Sequence, residues 1–365
     1  MTASQDAVYM SRALKLAQNG KYTTDPNPYV GCVLVKNGTI IAEGWTQRAG
    51  QRHAETAALA QTENPFGATA YVTLEPCSHT GRTAPCCDAL IAAGVTRVVV
   101  AMPDPNPLVS GRGLQKMRAA GLEVIVGVLQ TEAEQLNRGF FKRMRSGLPW
   151  IYSKLAMSLD GRTALASGES RWITSVEARQ DVQIYRAKCS AIVTGIGTVL
   201  RDDPTLNARV EFDLEQPVTV VLDSDLRLPP TAKLLNNSAE TWVFTNSQDQ
   251  VKYRQLQDAG CKIWQINRTD KGVDLLQTFK LLAEQEINTV WVEAGATLNG
   301  ALLESQLVDE WLIYMSTMVL GDQGRGLFNL HALQSMSEKI PLKLLEIRQI
   351  GPDIRMRLST HAKQK

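Results

Sequence analysis

Several features that would place the chain in a broad class of proteins are missing from its 365 residues. No stretch is long and apolar enough to cross a bilayer, which takes about 20 consecutive apolar residues, so we expect no membrane partner. The opening segment MTASQDAVYMSRALKLAQ reads as an amphipathic helix. It lacks the charged start, apolar run and small-residue cleavage site of a signal peptide. We therefore expect a cytoplasmic protein.

A strong excess of charge of one sign is also missing. The chain has 39 Lys and Arg residues against 37 Asp and Glu residues, a net charge of +2. Binding to a polyanion depends on many phosphate contacts from basic side chains. The basic runs FKRMRSG and HAKQK lie at an expected helix end and at the chain end, where solvated cations are common. We therefore do not expect a nucleic-acid partner.

Cysteine and histidine are scarce, with six and four residues. Three of these cysteines and one histidine nevertheless fall within the short segment TLEPCSHTGRTAPCCDAL. In a reducing compartment, such a cluster favours metal binding or catalysis over a disulfide. The isolated residues Cys32, Cys189 and Cys261 lie in or beside strand-like or helix-like runs, so we expect them to be small buried side chains.

Alternating strand and helix patterns predict an α/β fold for both halves of the chain. Asn37-Gly38, between VGCVLVK and TIIAEG, is typical of a two-residue hairpin turn. The alternation that follows predicts a mostly parallel sheet covered by helices, with the hairpin at one edge. TEAEQLNRGFFKRMRSG reads as one helix, ended by Gly147 and Pro149. We expect two different domains, residues 1–146 and residues 147–365.

The segment HAE supplies His53 and Glu55, and the cysteine cluster supplies Cys77 and Cys86. One imidazole and two thiolates suit zinc and leave its fourth position for water, as in catalytic sites. Zinc lowers the pKa of that water to about 7, and a nearby carboxylate, here Glu55, can move its protons. H-x-E with P-C-x-x-C is the signature of zinc deaminases. Here eight residues rather than two separate the thiolates, so we expect a loop to bring them together.

Two neighbours of these ligands are expected to play other parts. Cys87 is adjacent to Cys86 on a predicted helix and should therefore point about 100° away from it. His79 would close the site if it were a fourth ligand, and a closed site cannot do hydrolytic chemistry. We therefore predict an open site with three protein ligands.

The second half has no G-x-G-x-x-G after a strand, so the usual dinucleotide fingerprint is missing. Instead, VWVEAGATLNGALL and IVTGIGTVLRDDP each read as a strand, a glycine turn and a helix. The free N–H groups at such a helix start can bind a phosphate. The alternative is that both are only tight turns.

Taken together, several motifs resemble one family, the bifunctional deaminase/reductases of riboflavin biosynthesis; they are NPYVGCVLV, HAE, VTLEPCSHTGRTAPC, DPNP, SLDGRTA, SGESRWIT, TVLRDDPTL and VEAG. The resemblance covers nearly the whole chain. It implies a cytidine-deaminase-like three-layer α/β/α domain, a dihydrofolate-reductase-like α/β domain, Zn²⁺ and NADPH. It also implies a homo-oligomer formed through the reductase domain.

The activity that the resemblance implies has two steps on a phosphorylated pyrimidine. The first is zinc-dependent hydrolytic deamination of 2,5-diamino-6-(5-phosphoribosylamino)pyrimidin-4-one. The second is NADPH reduction of the ribosyl group of 5-amino-6-(5-phosphoribosylamino)uracil to ribityl.

The resemblance also implies roles for individual residues. In the first domain, the substrate contacts would be Asn27, Arg82, Asp104 and Asn106. In the second domain, they would be Ser170, Arg186, Leu206, Arg209 and Glu293. The cofactor contacts would be Ala156, Trp172, Thr198, Asp202, Ser224, Gly295, Ala296, Thr297, Leu298, Asn299, Gly300 and Ala301.

Some of these positions have simpler readings, and two positions depart from the family pattern. Asp, Asn and Pro in DPNP could form only a turn, and Asp202 with Asp203 could only cap a helix or turn. Thr46 and Ala57 stand where family members commonly carry histidine. Neither replacement changes a predicted metal ligand. The replacement at Thr46 is expected to alter the substrate contacts near that residue.

Two other functions fit parts of the sequence. A deaminase of free or tRNA bases, with the second half as a scaffold, should have a basic face and stacking aromatics. The net charge of +2 and the 6% aromatic content disfavour it. A non-catalytic zinc-binding interaction protein would need a fourth ligand and would leave Glu55 without a role.

Overall fold

The structure is a computed structural model that describes residues 2–78, 84–106 and 110–360. The chain divides into two compact units. The N-terminal unit is Met1–Leu148 with Asp213–Glu215, and the C-terminal unit is Pro149–Phe212 with Gln216–Lys365. Among the described residues, no helix has the length and apolarity that spanning a bilayer requires.

The N-terminal unit is built on a five-stranded sheet. Its strands are β1 (Gly31–Lys36), β2 (Thr39–Trp45), β3 (Thr69–Val72), β4 (Arg97–Val100) and β5 (Glu123–Val126). They lie in the order β2-β1-β3-β4-β5; β1 is antiparallel to β2 and β3, whereas β3, β4 and β5 are parallel. The turn residues Asn37 and Gly38 have positive φ angles of 51° and 77°. The predicted hairpin at one edge of the sheet is confirmed.

Helices pack against this sheet, and one of them lies unusually close to it. They are α1 (Ala3–Ala17), α2 (Ala54–Leu59), α3 (Cys86–Ala92), α4 (Arg112–Ala119), α5 (Gln130–Leu136) and α6 (Arg138–Ser146). A Cβ atom at Gly44 of β2 would lie 2.3 Å from the carbonyl oxygen of Ala54 in α2. Only glycine allows this approach. It places His53, the residue before α2, beside the sheet.

The prediction of one helix over TEAEQLNRGFFKRMRSG is wrong, because the helix breaks at Asn137, where φ is −111° and ψ is 25°. The Asn137 side chain forms two hydrogen bonds with the backbone of Tyr29. Its Oδ1 accepts from the Tyr29 nitrogen at 2.7 Å, and its Nδ2 donates to the Tyr29 oxygen at 2.9 Å. Asn137 is buried, and a buried amide has to be hydrogen-bonded. The residue at the break therefore joins this part of the chain to the segment around Tyr29, which is distant in sequence.

The C-terminal unit contains a nine-stranded sheet and two short two-stranded sheets. The strands are β6 (Trp150–Met157), β7 (Arg162–Ala164), β8 (Ala191–Gly195), β9 (Val218–Leu222), β10 (Thr241–Thr245), β11 (Cys261–Gln265), β12 (Arg268–Thr269), β13 (Gly272–Val273), β14 (Thr289–Glu293), β15 (Glu310–Met315), β16 (Arg325–Gly326), β17 (Lys343–Ile350) and β18 (Asp353–Ser359). The large sheet has the order β11-β10-β9-β8-β14-β6-β15-β18-β17. Its strands are parallel up to β15, and β18 and β17 close one edge as an antiparallel pair.

Helices lie between the strands of this unit along the chain. They are α7 (Val176–Lys188), α8 (Ile196–Asp202), α9 (Gln250–Asp258), α10 (Leu275–Glu284) and α11 (Ala296–Glu304). Short 3₁₀ turns cover Gln18–Gly20, Lys233–Asn236 and Met336–Glu338. α8 begins directly after β8, and two residues separate β14 from α11, so both predicted strand-turn-helix units are confirmed. The predicted α/β fold class is confirmed for both halves.

Candidate active sites

Three candidate metal ligands from separate elements meet in the N-terminal unit. His53 precedes α2, Cys77 follows β3, and Cys86 is the first residue of α3. The His53 Nδ1 atom lies 3.3 Å from the Cys86 sulfur and 3.7 Å from the Cys77 sulfur. All three candidate ligand atoms lie within 4.8 Å of one another. Within the described part of the chain, no other trio of His, Cys, Asp or Glu side chains converges in this way.

Backbone groups of Cys86 and Cys87 form hydrogen bonds with Cys77. The Cys86 N–H donates to the Cys77 sulfur at 3.3 Å, and the Cys87 N–H donates to the Cys77 oxygen at 3.2 Å. The hydrogen bond from the Cys86 thiol lowers the pKa of Cys77 well below its ordinary value. One thiolate is therefore favoured beside an imidazole. This donor set fits the preference of zinc for nitrogen and sulfur ligands.

Glu55 lies in the first turn of α2, two residues after His53. The residue is only 3% exposed. Among the described residues, no Lys or Arg forms an ion pair with it, whereas a charge on His53 acts to lower its pKa. Burial, with a further contribution from Cys77, raises the pKa of Glu55 to about 7. A carboxyl group that titrates near neutrality can both accept and release a proton.

The other cysteines and the second histidine of the cluster are separate from this trio. The Cys87 side chain is packed in the hydrophobic core of the unit, as its predicted direction on the helix requires. Cys32, Cys189 and Cys261 are buried, as expected. His79 and Arg82 lie outside the described residues.

Three of the residues that the resemblance connects with the deaminase substrate, Asn27, Asp104 and Asn106, lie on two loops. Asn27 lies two residues before Tyr29, whose backbone Asn137 holds. Asp104 follows β4, is buried, and accepts a hydrogen bond from the Asn106 N–H at 2.8 Å. Burial raises the pKa of Asp104 to about 6. Asp104 thus takes part in a turn, as the simpler reading of DPNP expected.

The two departures from the family pattern have local explanations. Thr46 is buried, and its hydroxyl accepts from the Val30 N–H at 3.2 Å and donates to the Val30 oxygen at 3.5 Å. It therefore joins the end of β2 to the segment that precedes β1. Ala57 is a half-buried residue of α2.

A cavity of about 920 Å³ in the C-terminal unit lies where β8, β9 and β14 end and where α8 and α11 begin. This volume is within the range of small-molecule and cofactor sites. The cavity is lined by many of the residues that the resemblance connects with the cofactor, namely Thr198, Ser224, Gly295, Ala296, Thr297, Leu298 and Ala301.

Five residues of the same set do not line the cavity: Ala156, Trp172, Asp202, Asn299 and Gly300. Asn299 is buried and bonded through its side chain to the Ser153 hydroxyl and the Ala294 carbonyl. At Gly300, a Cβ atom would lie 2.1 Å from the Asn329 carbonyl oxygen. These two residues therefore face the protein interior.

Trp172 and the Asp202-Asp203 pair lie on surface segments. Trp172 is 66% exposed, and the Arg179 guanidinium lies 4.4 Å from its ring centroid. The Asp202 carbonyl accepts a hydrogen bond from Arg171 at 2.9 Å. Asp203 is the C-cap of α8, and its carboxylate accepts from the Lys233 N–H at 2.9 Å. Asp203 therefore has the capping role that the simpler reading expected.

A buried ion pair joins two of the residues connected with the reductase substrate. Arg186 donates from Nε and Nη2 to the two Glu293 carboxylate oxygens at 2.6 and 2.7 Å. The Trp291 indole donates to the same carboxylate at 2.7 Å. Burial alone would raise the pKa of Glu293, but Arg186 and then Lys154 lower it to about 2. Glu293 is therefore ionised at neutral pH.

Lys154 is a candidate that the sequence reasoning missed. It lies on β6 directly opposite Glu293 of β14, and burial lowers its pKa. The available signal was a lysine inside the apolar strand WIYSKLAMS. Because a buried ammonium requires a partner, such a position often marks a functional or ion-paired group.

The segment from residue 205 to residue 209 lies beside this ion pair. Arg186 donates from Nη1 to the Asn207 carbonyl at 2.9 Å, which anchors the segment. Arg209 is exposed and donates to the Thr205 hydroxyl at 3.0 Å. Partial desolvation of the Arg209 guanidinium, together with the positive charge of Arg186, lowers the pKa of Arg209. Leu206 is buried with a positive φ of 50°, and Ser170 is half-buried.

Comparison with known proteins identifies matches in both halves. Residues 149–356 match the family described as RibD C-terminal domain, and residues 3–102 match the cytidine and deoxycytidylate deaminase zinc-binding region. The chain is 50% identical to riboflavin biosynthesis protein RibD of Escherichia coli (strain K12), over 97% of this chain and 99% of that protein. It is 49% identical to the protein of that name from Haemophilus influenzae, with 97% of each chain covered.

Solved structures agree with these matches. Acinetobacter baumannii RibD, form 2, is 45% identical and superposes with a TM-score of 0.92, covering 98% of this chain and 99% of that chain. The diaminohydroxyphosphoribosylaminopyrimidine deaminase/5-amino-6-(5-phosphoribosylamino)uracil reductase of Thermotoga maritima is 32% identical, with a TM-score of 0.86 over 98% and 99% of the two chains. The cytidine-deaminase-like and dihydrofolate-reductase-like folds expected from the resemblance are confirmed.

Replacement of either neighbouring cysteine by serine tests the metal ligands. We expect Cys86→Ser to lower the zinc content of the purified protein from about one ion per chain to a small fraction, because a serine hydroxyl is a poor zinc ligand. Cys87→Ser is the matched control and should retain zinc, because its side chain packs in the core. The zinc content of each purified variant is measured by elemental mass spectrometry. Equal zinc contents in the two variants would contradict the assignment.

Proposed function

The chain belongs to the RibD family of bifunctional riboflavin-biosynthesis enzymes, and from this premise we propose how its residues divide the two reactions. It is a zinc-dependent deaminase and an NADPH-dependent reductase. We assign deamination of 2,5-diamino-6-(5-phosphoribosylamino)pyrimidin-4-one to residues 1–146. We assign reduction of 5-amino-6-(5-phosphoribosylamino)uracil to residues 147–365. The match of residues 149–356 to the RibD C-terminal domain disfavours a second half that is only a scaffold.

In the deaminase, His53, Cys77 and Cys86 would hold the zinc ion. Bound there, zinc supplies a water of lowered pKa. Glu55 takes a proton from the attacking water and returns it to the amino group that leaves as ammonia. The observation that carries this role is the position of the buried Glu55 carboxyl in the first turn of α2, two residues after the candidate ligand His53. Among the described residues, only these three candidate ligands converge at the site, which supports an open zinc site over a closed structural one.

Two loops would hold the rest of the deaminase substrate. Asn27, fixed through the neighbouring Tyr29 by Asn137, would contact the pyrimidine. Asn106, whose N–H is bonded to Asp104, would lie near the ribose phosphate together with Arg82. A planar guanidinium suits a phosphate.

In the reductase, the cavity at the ends of β8, β9 and β14 would hold NADPH, which supplies the hydride. The turns at Gly195 and Gly295 open onto this cavity and precede the starts of α8 and α11. The free N–H groups of a helix start suit the cofactor phosphates. The chain's part is to orient the cofactor and to keep water away from the reacting carbon.

The substrate of the reductase would lie beside the Arg186–Glu293 pair. Arg186 is engaged with Glu293 and with the Asn207 carbonyl, so we propose that it holds the carboxylate and the neighbouring segment in position. Arg209 is exposed next to this segment and would bind the substrate phosphate. Lys154 and Glu293 would contact the polar groups of the substrate.

We also propose that the protein forms a homo-oligomer through its C-terminal unit. β17 is the edge strand of the nine-stranded sheet. Its apolar residues Leu344, Leu345 and Ile347 are 49%, 44% and 60% exposed. An edge strand with exposed apolar side chains is a template for pairing with another chain.

We also propose, from the composition of the sequence, that the protein is cytoplasmic and that its partners include neither nucleic acid nor a membrane.

Glu55→Gln tests the proton-transfer role. We expect it to slow deamination by about 10²–10⁴-fold, the usual contribution of a general acid/base, because the amide cannot accept the proton. Zinc content and the reduction of separately supplied 5-amino-6-(5-phosphoribosylamino)uracil should stay unchanged. Ammonia release and NADPH oxidation are followed in the same preparation. Equal losses of both activities would contradict this separation of roles.

Arg209→Ala tests the phosphate contact in the reductase. Loss of a hydrogen bond to a charged group removes about 1.5–3 kcal/mol of binding, so KM for the reductase substrate should rise about 10- to 100-fold. Deamination should be unaffected. Arg254→Ala, at an exposed position on α9, is the matched control. An unchanged KM in Arg209→Ala would remove Arg209 from the substrate site.

The double variant Leu345→Lys/Ile347→Lys tests the proposed assembly. Charges on an exposed edge strand prevent pairing with another chain, so we expect a smaller particle than the wild-type protein gives. Mass is measured by light scattering after size-exclusion chromatography. Val251→Lys is the control, since Val251 is 68% exposed on α9. An oligomer that persists in the double variant would rule out β17 as the interface.

A further inference from the structure

A buried carboxylate that has no part in the proposed chemistry lies beside the deaminase site. Glu75 is 4% exposed and lies between β3 and the candidate ligand Cys77. Its Oε2 accepts hydrogen bonds from the backbone N–H groups of Asp104 at 3.1 Å and Gly111 at 2.9 Å. Its Oε1 accepts from Gly113 at 2.9 Å and Leu114 at 3.3 Å.

These hydrogen bonds explain how the charge of Glu75 is tolerated in the interior. A buried carboxylate is costly unless its oxygens are hydrogen-bonded, and bonds to an ionised acceptor are about twice as strong as neutral ones. Among the described residues, Glu75 has no ion pair, and four backbone donors surround it. All four belong to the segment between β4 and the first turn of α4. Glu75 therefore ties that segment to the stretch of chain between β3 and Cys77.

Two further contacts connect the same pieces of chain. The Glu75 N–H donates to the Met102 carbonyl at 3.1 Å. A Cβ atom at Gly113, near the start of α4, would lie 2.2 Å from the carbonyl oxygen of Pro76. The start of α4 thus packs directly on the peptide that leads to Cys77. Because this is a contact between two backbone segments, neither segment can move without moving the other.

We propose that Glu75 is a positioning residue of the deaminase, which sets the placement of Asp104 and Asn106 relative to the candidate metal ligand Cys77. The inference rests on the proposed function in one respect, namely that Asn106 contacts the substrate near its phosphate. Glu75 itself touches neither the substrate nor the metal, because its oxygens are occupied by backbone N–H groups. Loss of this linkage weakens substrate binding while the metal ligands and Glu55 stay in place.

Glu75→Gln in the full-length, zinc-loaded protein tests this role. The amide keeps the size of the side chain but turns one acceptor end into a donor that faces two N–H groups. Since a misplacement of about 1 Å can cost about 100-fold, we expect KM for the diaminopyrimidine substrate to rise about 10- to 100-fold. Loss of uniform binding leaves kcat within about threefold. Zinc content and reductase constants should match the wild type, as they should in the control Glu63→Gln, at an exposed position of the same unit.

A merely structural role would give a different result. Partial unfolding would lower kcat and zinc content together and leave KM unchanged, and that outcome would overturn the proposal. Gly113→Ala perturbs the same contact between α4 and the segment leading to Cys77, but leaves the Glu75 carboxylate unchanged. It should also raise KM, because its Cβ displaces the start of α4 from Pro76.

A double-mutant cycle between Glu75→Gln and Asn106→Ala separates this inference from the proposed function. If Glu75 acts through the Asn106 segment, the double variant should have nearly the same KM as Asn106→Ala alone. Additive increases in KM would overturn the positioning role. An unchanged KM in Asn106→Ala would overturn the substrate contact in the proposed function, and with it the route by which Glu75 acts on substrate binding. A raised KM in Asn106→Ala with an unchanged KM in Glu75→Gln would overturn only the inference about Glu75.

Discussion

Both sites depend on one constraint, that parallel strands end at the same edge of their sheet. In the N-terminal unit, Cys77 and Asp104 follow neighbouring parallel strands, and His53 precedes the helix after β2, which runs in the same direction. In the C-terminal unit, β8, β9 and β14 end around the cavity. Polar side chains and free N–H groups collect at this edge because the apolar strand interiors exclude them.

Two buried glutamates show how surroundings divide the same chemical group between different tasks. Among the described residues, no Lys or Arg forms an ion pair with Glu55, and burial raises its pKa to about 7. Glu293 is partly buried, with a side chain 17% exposed, and Arg186 and Lys154 lower its pKa to about 2. The first suits proton transfer near neutral pH, and the second suits a permanent negative charge. The charges nearest to a carboxyl group in such a site therefore determine its protonation state, and with it the chemistry it can carry out.

Much of the fold, and the residue types of the candidate metal cluster, could be predicted because those signals lie in short segments of sequence. Asn37-Gly38 specifies a turn through the positive φ that both residues tolerate, and strand-glycine-helix units are visible in short windows. The break at Asn137 was not predicted, because the two hydrogen bonds that accompany it join Asn137 to Tyr29, which is distant in sequence. Lys154 and Glu75 were missed for the same reason, since each is defined by partners on other elements.

By itself, the sequence determined the types of chemical group available and the local conformations that carry them. An imidazole, two thiols and a carboxylate in their spacing already indicated zinc and proton transfer. Only the tertiary structure decided which groups are buried together, which carboxylate keeps its charge, and which side chains serve as supports. The physical reason is that desolvation and hydrogen bonding depend on neighbours in space, and close approaches such as that of α2 at Gly44 determine those neighbours.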